Sequence, residues 1–445
     1  MKPTTEQAYK LFHDGARALA QIEANGMKID VERLDKTIEK TTAKIEELEE
    51  QLKATDVWGR WKKKFGTKTS LGSRPQLAQV LDDLGQHIGI KTETGRLRMD
   101  EATLAEIAQK EPFVKDFLRL EKLKKLRSTY LLGVRREVVD GYLHPVFNLH
   151  LVKTYRSSSD SPNFQNIPIR DEEIGRLIRS CFIPRKNHVL VLVDYSALEF
   201  KIAACHWSDK SMIAYAGDPS LDIHRDMAAE CFLLEEVPKS ARFYAKNQFV
   251  FPQLYGSYYV ACARNLWKVV GILKTADGID MHEHLDSKGV GRADLFEEHI
   301  RRVEKRFHKR FPQWAERKEK WWERYQRRGR FRMMTGFECA GVFTRNELYN
   351  WPIQGPAFHL LLWSLVQMQK WLVRNKMKSR IIGQIHDEIV GDVHKDELVD
   401  YITKIKQVMT EDVKGVFPWL VVPMEVEIEI AKKNWFEKEE IDGVV

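Results

Sequence analysis

The sequence predicts an α+β fold, with strands early and late and helical segments around and between them. Three observations carry this. His188-Val189-Leu190-Val191-Leu192-Val193 is an apolar run of strand length that stops abruptly at Asp194. Near the end of the chain, Arg380 to Ile385 and Ile389 to Val393 read as two strands joined by His386-Asp387-Glu388. Elsewhere, long stretches place apolar residues at helical spacing.

Taken in order, Asp30 follows Asn25-Gly26 and is placed to cap a helix with apolar positions Val31, Leu34, Ile38, Ile45, Leu48 and Leu52. A loop rich in Gly, Thr and Ser runs from Gly66 to Arg74. A second long helix fits Phe113, Phe117, Leu120, Leu123, Leu126 and Tyr130, and the two make a helical lobe. Lys153 to Arg170 is polar with almost no periodicity. Past Asp194, the spacing of Leu198, Ile202, Ala203 and Cys205 predicts a helix. Leu221 to Glu347 reads as mostly helical, and Met424, Val426, Ile428 and Ile430 alternate as a last strand.

Composition bounds the function classes. The chain has 445 residues, 43% hydrophobic and 31% charged, enough for about three domains or one multi-lobed body and incompatible with wholesale disorder. No apolar stretch approaches the roughly 18 residues of a membrane span, and the start lacks a signal peptide's apolar core. Five scattered cysteines form no CxxC pair, so a soluble protein of a reducing compartment is expected. The net charge of +8 is unevenly spread: Arg301 to Arg332 carries +10, so the rest sums to −2. Phe307, Phe311, Trp314, Trp321, Trp322, Tyr325 and Phe331 are interleaved there, and a shorter basic cluster runs from Trp58 to Phe65. Such segments suit a phosphate backbone and exposed bases, or an amphipathic helix whose aromatics pack inward.

Asp194 ends a buried strand and Asp387 sits in a tight turn. Each alone is explained as an N-cap or turn former. Together, carboxylates projected from the ends of adjacent strands suit two divalent metals and phosphoryl transfer, with magnesium favoured. Arg242 and Lys246 stand at i, i+4 on one helical face, with His224 and Arg225 upstream. That row of cations suits a triphosphate, or is an ordinary basic surface. Neither a Walker A nor a GxGxxG loop is present, which argues against a P-loop or dinucleotide-binding fold.

These residues carry a family resemblance. Val193-Asp194-Tyr195-Ser196-Ala197-Leu198-Glu199-Phe200-Lys201 resembles motif A of the family A DNA polymerases, usually DYSQIELR. Arg242 through Gly256 resembles motif B, and Gln384-Ile385-His386-Asp387-Glu388 resembles motif C. Arg156 through Pro168 resembles the RLSSSDPNLQNIP segment, Ser128-Thr129-Tyr130 the thumb signature, and Asn350 through Gly355 the helix that touches template-primer. The six keep the family's order from roughly Ala20 to Trp435. Ala197 stands where Gln is usual, Lys201 where Arg is usual, and motif B has one extra residue between Lys246 and Tyr255, with Pro252 inside it. A helix should kink or end at that proline.

The resemblance implies a right-hand fold: a helical thumb over residues 1–140, palm over 141–210 and 346–445 with an antiparallel sheet, and mostly helical fingers over 211–345. It implies template-directed DNA synthesis from dNTPs on primer-template DNA, with pyrophosphate released. Asp194, Asp387 and the Tyr195 carbonyl would hold two Mg2+ ions, with Mn2+ as a substitute, and Glu388 would support them. His224, Arg242 and Lys246 would grip the triphosphate, with Lys246 protonating pyrophosphate. Glu199, Tyr255 and either Phe251 or Phe249, with Phe251 favoured, would line the sugar pocket. Arg156, Gln165, Asn350, Gln354 and His386 are the contacts implied for DNA. A cytoplasmic monomer is expected, in the host cytoplasm if phage-encoded. The proofreading domain is expected to be absent, leaving room for a separate 3′–5′ exonuclease or processivity factor. Two other classes stay open: a phage-type single-subunit RNA polymerase, against which bulky Glu199 speaks, and a non-catalytic nucleic-acid-binding protein, against which intact Asp194 and Asp387 speak.

Overall fold

The computed structural model describes residues 3–85, 99, 101–169 and 171–441; Arg170, the last residue of the polar stretch, lies outside them. The chain divides into two compact units. The larger comprises Met1–Met27, His144–Gln165 and Pro184–Val445, and the smaller Lys28–Leu143 and Asn166–Ile183. These cuts differ from the four expected segments, because the first helix groups with the larger unit and a short downstream piece with the smaller.

In the smaller unit the Asp30 carboxylate accepts from the Arg33 amide at 2.9 Å and opens the helix Val31–Lys53. Leu34, Ile45, Leu48 and Leu52 are buried, joined by Thr37 and Thr41, while Val31 and Ile38 are only half-buried. This face packs on the helix Pro112–Lys125 through its Phe113, Phe117, Leu120 and Leu123 side. That second helix continues as a π turn, Leu126–Leu131. The shorter basic cluster lies on the helix Asp56–Phe65. Its Trp61 is fully buried and donates to Gln76 at 2.9 Å.

The larger unit is built on an antiparallel sheet of five strands: β1 (His188–Tyr195), β2 (Arg380–Ile385), β3 (Glu388–His394), β4 (Val426–Ala431) and β5 (Glu439–Glu440). Their order is β5-β4-β1-β3-β2, so β1 is central. No residue from Val189 to Val193 is more than 4% exposed. Helices Thr5–Asn25, Arg345–Arg374 and Leu398–Gln407 pack on the sheet. Covered on both faces, β1 is apolar at every position instead of alternating. Gly383 on β2 admits no side chain, because a Cβ there would stand 2.8 Å from the Phe164 ring, itself stacked on Trp435 at 5.2 Å.

Between β1 and β2 the chain is mostly helical. The long basic segment occupies the helices Ala293–Arg310 and Pro312–Arg328 and the strand Arg330–Arg332. Its Phe307, Phe311 and Trp314 are at most 1% exposed, and Tyr325 and Phe331 are also buried. These aromatics are therefore core, not platforms for bases. Helical periodicity leaves Arg324, Arg327 and Arg328 outside, and Arg330 is exposed on the strand. All five cysteines are buried free thiols, and among the described residues no helix is long and apolar enough to cross a membrane.

His359, on the 30-residue helix Arg345–Arg374, is fully buried. Its Nε2 donates to the Tyr155 carbonyl at 3.0 Å, so Nδ1 accepts from the Thr335 hydroxyl at 2.6 Å. Burial holds its pKa down to about 3. The unfolded chain binds this proton below about pH 6.5 and the folded one does not, so stability is present above that pH and is lost on acidification. Between about pH 7 and pH 5, His359 should account for a loss of about 2 kcal/mol. Urea titrations of wild type and His359→Gln at the two pH values test this; parallel pH profiles would refute it.

Candidate functional site

The site is built where β1 ends. Asp194 pairs across the ladder with Glu388 on β3 and with Glu427 on β4. Directly opposed residues share a face of the sheet, so three carboxylates stand side by side. Asp387 precedes Glu388 in the turn between β2 and β3, where His386 adopts φ 52°. One carboxylate oxygen of Asp194, Oδ1, is buried with no hydrogen-bond partner among the described residues. Burial first, then the charges of Asp387 and Glu388, hold its pKa well above the carboxylate range, with Lys246 opposing.

A buried carboxylate among carboxylates, with an orphan oxygen, fits a divalent cation. Among the described residues no group of three or more His, Cys, Asp or Glu is ready-made for a metal. A two-carboxylate donor set suits magnesium, which keeps waters and takes substrate oxygens. Glu427 was not among the predicted site residues. The alternation of the last strand puts it opposite the apolar face, but its place beside Asp194 depends on the order of distant strands. Ser196 donates to it at 3.0 Å.

Opposing charge comes from the motif B segment. The helix Lys239–Ala245 passes into a π turn, Lys246–Val250, and then into a short helix, Phe251–Leu254. A π turn holds one residue more than an α turn, so it absorbs the extra residue noted in the sequence. The helix does not stop at Pro252. That proline falls in the first turn after the π segment, where its missing N–H costs little, and the helix ends two residues later.

Arg242 donates to Asp222 at 2.6 Å, and the same Asp222 carboxylate caps the His224 and Arg225 amides. His224 is 1% exposed, and neither ring nitrogen has a partner among the described residues. Burial, with Lys246 and Arg242 nearby, lowers its pKa to about 3, so it is a neutral hydrogen-bonding group at pH 7. Its ring meets Phe251 edge-on at 5.7 Å, and the Lys246 ammonium lies 5.4 Å from the Phe251 centroid. Phe249 points the other way, fully buried against Phe307 at 5.7 Å.

Phe251 stacks on Tyr255 at 6.0 Å, and the Tyr255 hydroxyl donates to Glu199 at 2.5 Å. Arg156 pairs with the other Glu199 oxygen at 3.6 Å, and Gln354 hydrogen-bonds to the Tyr255 side chain. Burial nonetheless pushes the Glu199 pKa up. Gln165 belongs to a second group. It donates to Gln384 at 2.8 Å and to Ser157 at 2.9 Å, and Gln384 donates to the His386 carbonyl at 2.7 Å. Gln384 thus ties the predicted DNA-contact residues to the turn that carries Asp387. Asn350 sits about one turn before Gln354, its Oδ1 buried and without a partner among the described residues.

The opposed orientation of the two phenylalanines is checkable. Phe249→Ala should cost about 3–5 kcal/mol of stability as a core cavity, and Phe251→Ala about 1 kcal/mol or less. Chemical denaturation of both variants measures it, and equal losses would mean that the outward placement of Phe251 is wrong.

The family model described as DNA polymerase family A matches residues 31–437. The chain is 29% identical over 434 residues to DNA polymerase I of Lactococcus lactis subsp. cremoris, covering 95% of this chain and 45% of that protein. Identity is also 29% over 437 residues to the thermostable DNA polymerase I of Thermus aquaticus, covering 95% of this chain and 47% of that one. The chain therefore spans about half the length of these relatives. The POL domain of Pol1 from M. smegmatis, solved in complex with DNA primer-template and dNTP, shares the fold with a TM-score of 0.73 at 24% identity, over 95% of this chain and 70% of that one. With a family match that runs through the sheet, the carboxylates and the motif B helix, the chain belongs to DNA polymerase family A.

Proposed function

We propose that this chain performs template-directed DNA synthesis, joining dNTPs to a primer 3′-hydroxyl with release of pyrophosphate. The observation that carries this reading is the buried, orphaned Asp194 carboxylate beside Asp387, combined with the row of His224, Arg242 and Lys246. Asp194, Asp387 and the Tyr195 carbonyl would hold two Mg2+ ions, with Glu388 in support. When bound, the ions supply Lewis-acid activation of the 3′-hydroxyl and neutralise charge on the leaving group.

The chain's own residues do the rest. Lys246 and Arg242 bind phosphate oxygens as cations, Arg242 oriented by Asp222, while His224 donates a neutral N–H. Lys246 gives a proton to pyrophosphate as it leaves. Phe251 and Tyr255 form one wall of the sugar pocket, and Glu199 fills the space a ribose 2′-hydroxyl needs. Arg156, Gln165, Asn350, Gln354 and His386 position primer and template. The exposed arginines of the 301–332 segment add sequence-independent attraction for phosphate. In this reading residues 1–140 form the thumb, 211–345 the fingers, and 141–210 with 346–445 the palm.

A primer-extension assay with Mg2+, and then with EDTA, tests the proposal directly. Asp194→Asn or Asp387→Asn should reduce extension by about a thousandfold or more, with primer-template affinity within about twofold. Retained synthesis in either variant would remove the two-metal assignment. Glu199→Ala should admit ribonucleotides about tenfold more readily, a loss of about 1.4 kcal/mol of discrimination. The measurement is the ratio of kcat/KM for dATP and ATP opposite template T; an unchanged ratio would show that Glu199 is not the gate.

A further inference from the structure

The face of the motif B helix turned away from the proposed nucleotide carries a polar cluster that the mechanism does not use. Gln253 is 1% exposed. Its amide nitrogen donates to Glu304 at 2.7 Å, and its amide oxygen accepts from His308 Nε2 at 3.1 Å. Its backbone carbonyl accepts from the Lys318 ammonium at 3.3 Å. That ammonium is sandwiched between Trp314 at 4.5 Å and Tyr349 at 4.6 Å from the ring centroids. Three side chains from two helices thus converge on one residue, which lies two positions from both Phe251 and Tyr255. Gly256 closes the same turn: with φ 94° it stands where a Cβ would meet Asn346 Oδ1 and the Tyr349 ring at 2.9 Å.

Burying an amide, a carboxylate and an imidazole is costlier than packing apolar groups, and it is tolerated when it selects one arrangement among several. Several arrangements exist here, because the segment carries an extra residue. A slip of one residue turns an α-helix by about 100°. It would take Phe251 off the outward face and break the Tyr255–Glu199 hydrogen bond. The apolar neighbours Phe249, Val250 and Leu254 oppose such a rotation because it would expose them, but hydrophobic contacts are non-directional and do not by themselves set the angle. A glutamine satisfied at both ends of its amide does.

We infer that Gln253, held by Glu304 and His308 and with its carbonyl bound by Lys318, is the positioning residue that fixes the rotation of the motif B helix, and through it the sugar selectivity of the pocket. The inference rests on the proposed polymerase reading. Its structural half, the clamp, stands or falls separately.

The test is the double variant Gln253→Leu/Glu304→Leu, which removes both partners of the strongest bond and so avoids leaving a lone buried acceptor. Glu304→Gln, which keeps an acceptor for Gln253, is the conservative control. In the double variant the dNTP/rNTP ratio of kcat/KM should fall about fivefold, with KM for dNTP rising more than kcat falls. Primer-template affinity should stay within about twofold, and Glu304→Gln should keep the wild-type ratio. Independently of activity, amide hydrogen exchange over residues 251–257 should be about tenfold faster in the double variant. An unchanged ratio in a folded, active double variant overturns the inference. Should wild type make no DNA, the functional reading fails on its own, and unchanged exchange over residues 251–257 then overturns the clamp.

Discussion

One strand sets the terms for the larger unit. β1 lies at the centre of an antiparallel sheet, buried on both faces, and its apolar residues must be covered by helices above and below. The strand also ends in a carboxylate. Because pairing places Asp194 between Glu388 and Glu427, the driving force that buries the strand also desolvates a negative charge among negative charges. Such a cluster is relieved by taking up a proton or a cation. The fold therefore concentrates hydrophobic energy in the sheet and delivers an unmet electrostatic demand at its edge. The helix Leu198–Trp207 follows at once and places Glu199 at the same end.

Much of this was legible because it is local. The helix cap at Asp30, the length of β1, the hairpin around His386-Asp387-Glu388 and the helical insert all follow from periodicity and turn chemistry. What escaped reading is set by pairing between distant segments. Glu427 became a neighbour of Asp194 only through the order of strands from opposite ends of the unit. Gln165 and Gln384 hydrogen-bond across 219 positions, which no local pattern signals. The extra motif B residue was visible, but the sequence alone favoured a kink or a stop at Pro252, and the chain instead absorbed the residue in a π turn upstream. In the basic segment the inward-packing alternative holds for Phe307, Phe311 and Trp314, which helical spacing commits to the core.

Beside the carboxylates stand groups that hold one another. Arg156, Glu199, Tyr255 and Gln354 come from four separate stretches of chain and meet in one bonded series. Glu199 resists ionisation because it is buried, and Arg156 offsets part of that cost. A side chain caught between an arginine and a phenol has little rotational freedom, so it presents a fixed surface. Fixed surfaces discriminate by exclusion, which reaches larger factors than the loss of one favourable contact.

Two sets of side-chain bonds meet at a single turn. From one side Glu199 binds the Tyr255 hydroxyl; from the other, Glu304, His308 and Lys318 bind Gln253, only two residues away. Flanking them are a π segment, a proline without a donor and a glycine with positive φ, each a place where a helix is least constrained by its own backbone. A helix end that is weak in intrinsic terms must take its geometry from its surroundings. Here the surroundings supply directional bonds on both faces, where most of a helix is set by non-directional packing. The register of the motif B helix is in this sense a property of the helices beneath it, and the outward face that carries Arg242, Lys246, Phe251 and Tyr255 inherits its precision from residues that touch no substrate.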